Sequence, residues 1–173
     1  RVKSKCAKTK SWRTCVVDWV SEQPQSAVLR RLAEPAQFDQ ELLKQLHLAE
    51  VVPGAKIVAS QDSTGSVEVA AASALLLVCA ENSGRLAGAA KDFLDRVFYP
   101  LHGRRLTLPY ALLVRAGNDG RGAVAEAQRI LRGIPFTPAL EPRIIRGRPG
   151  EADLVDVDEF AAGFAAGLEM GIF

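Results

Sequence analysis

The feature that most constrains the fold is a short apolar run at residues 74–80, which reads ALLLVCA. A run of this length falls far short of the roughly 20 residues that a membrane-spanning helix needs. Its length and lack of polar interruption are typical of a strand buried on both faces. Such strands occur almost only in parallel sheets that helices cover on both sides. The run therefore predicts the central strand of an α/β domain.

Strand-like and helix-like segments alternate along the rest of the chain. Short β-branched or apolar runs predict further strands at 14–20, 56–59, 110–114 and 143–146. Apolar residues at helical spacing predict helices at 28–32, 38–46, 89–98 (ended by Pro100) and 123–131, and a last helix with the stripe Val157, Phe160, Phe164 and Leu168. Five strands alternating with helices predict an open parallel sheet, with 14–20 on one side of 74–80 and 110–114 on the other.

Charge divides the chain into a basic tail and a mildly acidic domain. Six of the 22 Lys and Arg residues lie within residues 1–13, which leaves 16 basic against 20 acidic residues in the remainder. We therefore expect a flexible basic N-terminal tail over 1–13 and one domain over 14–173. Such a tail also suits contact with nucleic acid or an anionic surface. Because short charged ends are more often simply solvated, no nucleic-acid partner is expected.

The cysteines favour a reducing compartment. Cys6, Cys15 and Cys79 show no CxxC spacing, and only His47 and His102 accompany them, so no metal site is expected. Nothing in the sequence is long and apolar enough to span a membrane, and no apolar segment follows the first basic residues as in a secretory signal. We expect a cytoplasmic protein that does not associate with membranes.

Loop composition points to one edge of the predicted sheet. Ligands of open parallel sheets bind beyond the carboxyl ends of the strands. Three loops that follow predicted strands, 21–26, 80–88 and 115–122, are rich in small or polar residues. Their convergence predicts a binding site there. No catalytic acid, base or nucleophile stands out, so no catalytic side chain is predicted.

Two of these loops carry a family resemblance. Residues 80–96, AENSGRLAGAAKDFLDR, resemble the segment of flavodoxin-like NAD(P)H-dependent FMN reductases that reads approximately P-E-N-x-G-x-M-S-G-x-L-K-D-F-x-D-R. Residues 108–120 are similar to that family's fourth strand and third flavin loop. The resemblance extends over about 70–147 and is faint before that. It implies a flavodoxin-like three-layer sandwich, whose five-stranded parallel sheet has the order 2-1-3-4-5 and helices on both faces.

The resemblance also implies FMN as cofactor and assigns its contacts. Glycine lets backbone approach the flat isoalloxazine ring, and Asn side chains and loop amides can meet its pyrimidine edge. One side of the ring would be lined by Glu81, Asn82, Ser83, Gly84, Arg85 and Leu86, and the other by Gly117, Asn118 and Asp119. The FMN phosphate would be held by Ser21, Gln23, Gln25 and Ser26, in a loop that opens a helix after the first strand.

That phosphate loop departs from the family's pattern, which reads approximately S-x-[ST]-G-x-T. Pro24 stands in place of the glycine and removes one backbone N–H donor. We therefore expect Pro24→Gly to raise the affinity for FMN. Arg85 and Arg115 are candidates for binding the phosphates of NAD(P)H, although a surface arginine is more often simply solvated.

The function that the resemblance implies is an FMN-binding oxidoreductase. It would pass electrons from NAD(P)H to a small acceptor such as a quinone or free flavin, and it would form a homodimer or homotetramer. A single-electron flavodoxin fits less well, because such carriers have a strongly acidic face and this domain carries a net charge of only −4 beyond its tail. The alternative is a module that has lost FMN and serves as a binding or scaffolding subunit, which the residues at Pro24, Ala80 and Ser83 would suit.

Overall fold

The computed structural model describes residues 65–173 in full. Before them it describes only the backbone of three strands, β1 (Val16–Trp19), β2 (Ser26–Arg31) and β3 (Ala55–Val58). The predicted tail over 1–13 and the predicted helix at 38–46 lie outside the described residues.

The apolar run at 74–80 forms the middle of β4 (Ala72–Asn82). Successive side chains of a strand point to opposite faces of the sheet. Those of β4 divide between two core clusters, with Leu75, Leu77 and Cys79 in one and Ala74, Leu76 and Val78 in the other. Each of these six residues is at most 1% exposed. The prediction of a fully buried strand with cover on both faces is confirmed.

Helices cover the two faces of β4. A short helix, α1 (Ser66–Ala70), leads into the strand. The longer helices α2 (Gly88–His102) and α3 (Arg121–Gly133) cover one face, and α4 (Glu151–Glu169) covers the other. The predicted stripe of α4 is confirmed, since Val157, Phe160 and Phe164 are buried and Leu168 packs against the same cluster. None of the helices described is both long and apolar enough to cross a membrane.

The remaining strands complete one side of the sheet. β6 (Pro109–Ala116) pairs with β4 in parallel, with Leu75 level with Tyr110 and Ala80 with Arg115. β7 (Thr137–Pro138) and β8 (Arg143–Arg146) pair in parallel with the first and second halves of β6. They form a single interrupted edge, and the result is the three-layer α/β/α sandwich that was predicted.

The other side of the sheet corrects the prediction. β2, and not the segment 14–20, pairs in parallel with β4, with Val28 level with Leu75. β1 instead pairs antiparallel with β3 in a separate two-stranded sheet. The order 2-1-3-4-5 is therefore replaced by β2-β4-β6, with β7 and β8 along the far edge.

The predicted helix at 28–32 is also wrong, because residues 28–31 belong to β2. A few apolar residues in succession are compatible with one helical turn or with a short strand, and periodicity cannot separate the two. The open edge of β4 supplies the pairing partner that decides between them.

Pro100 does not end its helix, which runs on to His102. Proline removes a single backbone hydrogen bond, and here that loss falls in the last turn. Leu101, which follows it, is fully buried in the core and holds the turn in place.

Candidate functional site

The predicted loop at 81–86 is a β-hairpin that extends β4 past the end of the sheet. The chain turns through Ser83 and Gly84 and returns as β5 (Arg85–Leu86), with Glu81 level with Leu86. Ser83 has a φ of 51° and Gly84 a φ of 73°. Positive φ at both central residues is what a two-residue type I′ turn requires. The hairpin exposes Asn82 at the carboxyl end of β4 and Ser83, Gly84 and Arg85 beyond it.

A second loop, residues 117–120, follows β6 and leads into α3. Gly117 and Asn118 are exposed, and Asp119 is half-buried. The Asp119 carboxylate accepts the N–H of Arg121 at 3.0 Å, which satisfies one amide of the first helical turn. Gly120 has a φ of 74°, and a Cβ there would lie 2.8 Å from Cγ2 of Ile144 on β8. Glycine is therefore needed where this loop turns against the sheet edge.

Glu81 joins the hairpin to the 117–120 loop. Its Oε2 accepts the N–H of Asn118 at 2.9 Å, and its Oε1 accepts the N–H of Gly120 at 3.2 Å. The two groups of residues that were predicted to line opposite sides of the ring are thus neighbours, linked by one carboxylate.

Helix α3 makes two further contacts with the hairpin. The Glu126 carboxylate accepts the N–H of Leu86 at 3.0 Å. Gly122 lies so close to the hairpin that a Cβ on it would collide with the carbonyl oxygen of Gly84. The hairpin, the loop and the start of α3 consequently form one packed unit.

The exposed glycines of this unit fit a flat ligand. At both Gly84 and Gly117 no heavy atom lies within 4 Å of the position that a Cβ would take. An isoalloxazine ring can therefore approach the backbone at both loops. Leu86 fits less well, because the residue is only 6% exposed and packs in the core. Its N–H already donates to Glu126, so Leu86 offers little to a ligand.

Of the four predicted phosphate-binding residues, Ser26 is described, and it does not lie at this unit. Ser26 begins β2 and is level with Ala72 at the start of β4, whereas the hairpin follows Asn82 at the other end. The rise of about 3.3 Å per residue along a strand places Ser26 about 30 Å from the hairpin. The predicted helix opened by Ser26 is wrong, because a strand begins there. Ser21, Gln23 and Gln25 lie outside the described residues.

Three residues of the packed unit were not assigned individually to the site by the sequence analysis: Gly120, Gly122 and Glu126. The two glycines carried a visible signal, because both lie within the predicted third loop, 115–122, on either side of Arg121. Glu126 carried none, since its partner is a backbone amide 40 residues away.

Arg115 and Cys79 flank the site, and the contacts of the first and the burial of the second belong to the fold. Nε of Arg115 donates to the carbonyl oxygen of Gly147 at 3.0 Å, and partial burial lowers the pKa of its guanidinium. Arg115 therefore ties β6 to the turn after β8. Burial raises the pKa of the Cys79 thiol, which keeps it protonated and unreactive. Within residues 65–173 no group of three or more His, Cys, Asp or Glu side chains could hold a metal ion.

The sequence matches none of the known protein families and no curated protein with which it was compared. Its structure is similar to those of several flavodoxins. A flavodoxin from the domain Archaea overlaps 79% of this chain and 95% of its own, with a TM-score of 0.60 and 11% identity. Flavodoxin 1 from Bacillus cereus overlaps 78% and 93%, with a TM-score of 0.61 and 17% identity. A mutant flavodoxin from Pseudomonas aeruginosa overlaps 82% and 96%, with a TM-score of 0.55 and 14% identity. Together with the parallel order of β2, β4, β6 and β8, these overlaps establish that the chain has the flavodoxin-like α/β fold.

Proposed function

We propose that the chain is an FMN-binding oxidoreductase that passes electrons from NAD(P)H to a small acceptor such as a quinone or free flavin. The observation that carries the proposal is the bridge made by Glu81, which joins two exposed, glycine-containing loops at the carboxyl ends of β4 and β6. That edge is where open parallel sheets bind ligands. The three solved structures described above that share the fold are flavodoxins, which supports a flavin as the ligand.

The residues of the site would bind and orient the cofactor. FMN supplies the hydride and electron chemistry when bound. The N–H groups of Asn118 and Gly120 already donate to Glu81, so they are not available to the pyrimidine edge of the ring. The exposed side chains of Asn82 and Asn118 carry amide donors and acceptors that can take that part. Gly84 and Gly117 would face the ring with backbone alone.

The co-substrate and the assembly belong to the same proposal. Arg85 at the hairpin and Arg121 at the start of α3 are exposed and would attract the phosphates of NAD(P)H. The acceptor would be a small molecule that reaches the ring from solvent. The protein would act in the cytoplasm as a homodimer or homotetramer, without membrane or nucleic acid.

A second candidate function is a binding or scaffolding subunit that has lost FMN. Two observations favour it. Ser26, which was predicted to end the phosphate loop, begins a strand at the end of the sheet remote from the hairpin. In addition, the amides of Asn118, Gly120 and Arg121 all donate to carboxylates within the loops. A ligand would therefore find few backbone donors in the 117–120 loop.

Titration with FMN separates the two candidates. The purified chain is expected to quench the fluorescence of added FMN and, with NAD(P)H present, to reduce a quinone or free flavin. Asn118→Ala should weaken FMN binding up to about tenfold, through the loss of one or two hydrogen bonds. Thr107→Ala, which truncates another exposed polar residue before the amino end of β6, should leave binding unchanged. A chain that never quenches FMN would instead support the scaffolding subunit.

A further inference from the structure

We propose that Glu81 is a positioning residue whose carboxylate locks the 117–120 loop onto the β4–β5 hairpin and so preforms the face offered to the ring. The family resemblance placed Glu81 against the ring, but its oxygens both accept backbone amides of the neighbouring loop. The locking of the loop stands by itself, and its consequence for FMN rests on the proposed function.

The geometry of Glu81 suits this role. The residue is the last but one of β4, so the sheet holds its backbone, while its half-buried side chain reaches to the next strand's loop. The two amides that it accepts come from residues 118 and 120, on either side of Asp119. A carboxylate that accepts two N–H groups strengthens both bonds by its charge. The loop between Ala116 and α3 is thereby held at two points.

The locked loop carries the groups that the proposed function uses. Asn118 presents its side chain to solvent while its backbone is held by Glu81, so the direction of that side chain depends on the carboxylate. Gly117, the open glycine of the loop, directly precedes it. A flat ligand that needs both loops at once gains from receiving them already in place, because it does not have to order them on binding.

Glu126 provides a matched comparison within the same unit. Its Oε2 accepts one amide, that of Leu86. The substitution Glu126→Gln keeps a carbonyl oxygen that can accept this single N–H. The substitution Glu81→Gln cannot serve both of its amides, because one oxygen becomes an NH₂ group that faces an N–H donor. The change from Glu to Gln should therefore disturb the accepted hydrogen bonds strongly at Glu81 and weakly at Glu126.

Amide hydrogen exchange, read residue by residue without any ligand, tests the locking. In Glu81→Gln the exchange of the Asn118 or Gly120 amide should rise about tenfold or more. Glu126→Gln and the exposed Glu141→Gln should leave both amides unchanged. Glu81→Asp, which keeps the charge but is one methylene shorter, should raise the exchange in the same direction. Unchanged exchange of both amides in Glu81→Gln and Glu81→Asp would overturn the proposal.

The consequence for FMN is measured on the same proteins. Glu81→Gln should weaken FMN binding about tenfold relative to Glu141→Gln. Faster exchange with unaltered FMN affinity would overturn the positioning role. If the wild-type chain binds no FMN while Glu81→Gln still frees the two amides, the proposed function fails and the locking of the loop is supported.

Discussion

The two sides of β4 are organised by different interactions. On one side, β6 is buried between α2 and α3 above and α4 below, and its alternate side chains enter both core clusters. On the other side, β2 is defined by its backbone pairing with β4, while β1 and β3 form an antiparallel pair of their own. Side-chain packing on two faces leaves a pattern in the sequence, whereas the choice of a strand's neighbour does not. The four predictions below test this contrast, beginning with the largest effect.

The packing on the β6 side should make Phe164 costly to truncate. Phe164 is fully buried between α4 and the sheet, so Phe164→Ala should lower the free energy of unfolding by about 3–5 kcal/mol. Val155→Ala, on the exposed surface of the same helix, should change it by less than about 0.5 kcal/mol. Urea unfolding measures both. A loss for Phe164→Ala no larger than that for Val155→Ala would show that α4 does not anchor the sheet.

Two glycines of the packed unit should differ in how much their substitution by alanine changes stability. Gly122→Ala drives a methyl group into the carbonyl of Gly84 and should destabilise the chain by about 1–3 kcal/mol. Gly117→Ala places its methyl in open space and should change stability by less than about 0.5 kcal/mol. Under the proposed function, Gly117→Ala should nevertheless weaken FMN binding, because the methyl occupies the ring's approach. Equal stabilities for the two variants would refute the close packing of hairpin and helix.

A second pair of glycines lies on α4. Gly163 is exposed within the helix and has no atom within 4 Å of a Cβ, so Gly163→Ala should stabilise the chain by about 0.5–1 kcal/mol. Gly167 lies under the ring of Phe173, which packs against Phe164 with ring centroids 5.9 Å apart. Gly167→Ala must displace that ring, so it should stabilise the chain less than Gly163→Ala does, or destabilise it. Thermal unfolding of both variants provides the comparison, and an equal gain at Gly167 would argue against the contact with Phe173.

The smallest effect is expected on the β2 side. Pro24 falls between β1 and β2, and β2 begins at the end of the sheet remote from the hairpin. Because a strand and not a helix begins at Ser26, Pro24→Gly should leave FMN affinity unchanged, contrary to the expectation from the family's first loop. Fluorescence titration of both proteins measures it. A tenfold gain in affinity would restore the predicted phosphate loop and contradict the placement of β2.

Within the candidate site, the sequence predicted which residues lie in the loops but not which hydrogen bonds join them. The small and polar residues at 81–86 and 117–119 were identifiable because each group follows an apolar strand and matches a family motif. The hydrogen bonds from Asn118 and Gly120 to Glu81 span 37 and 39 residues. Neither bond leaves a local pattern, because any backbone amide can be the donor. Leu86 shows the opposite error: the motif predicted that it lines the ring, and the structure buries it in the core.

The sequence by itself determined that this chain forms a layered α/β domain around the strand at 74–80, with 110–114 and the final helix packed against it. A strand buried on both faces needs an uninterrupted apolar run, and a helix packed on a sheet needs an apolar stripe, so both can be recognised in the local sequence. Only the tertiary structure decided that β2 would take the place beside β4 and that Glu81 would hold the neighbouring loop. Backbone pairing and backbone amide contacts are open to every residue type, so their partners are selected by the assembled sheet.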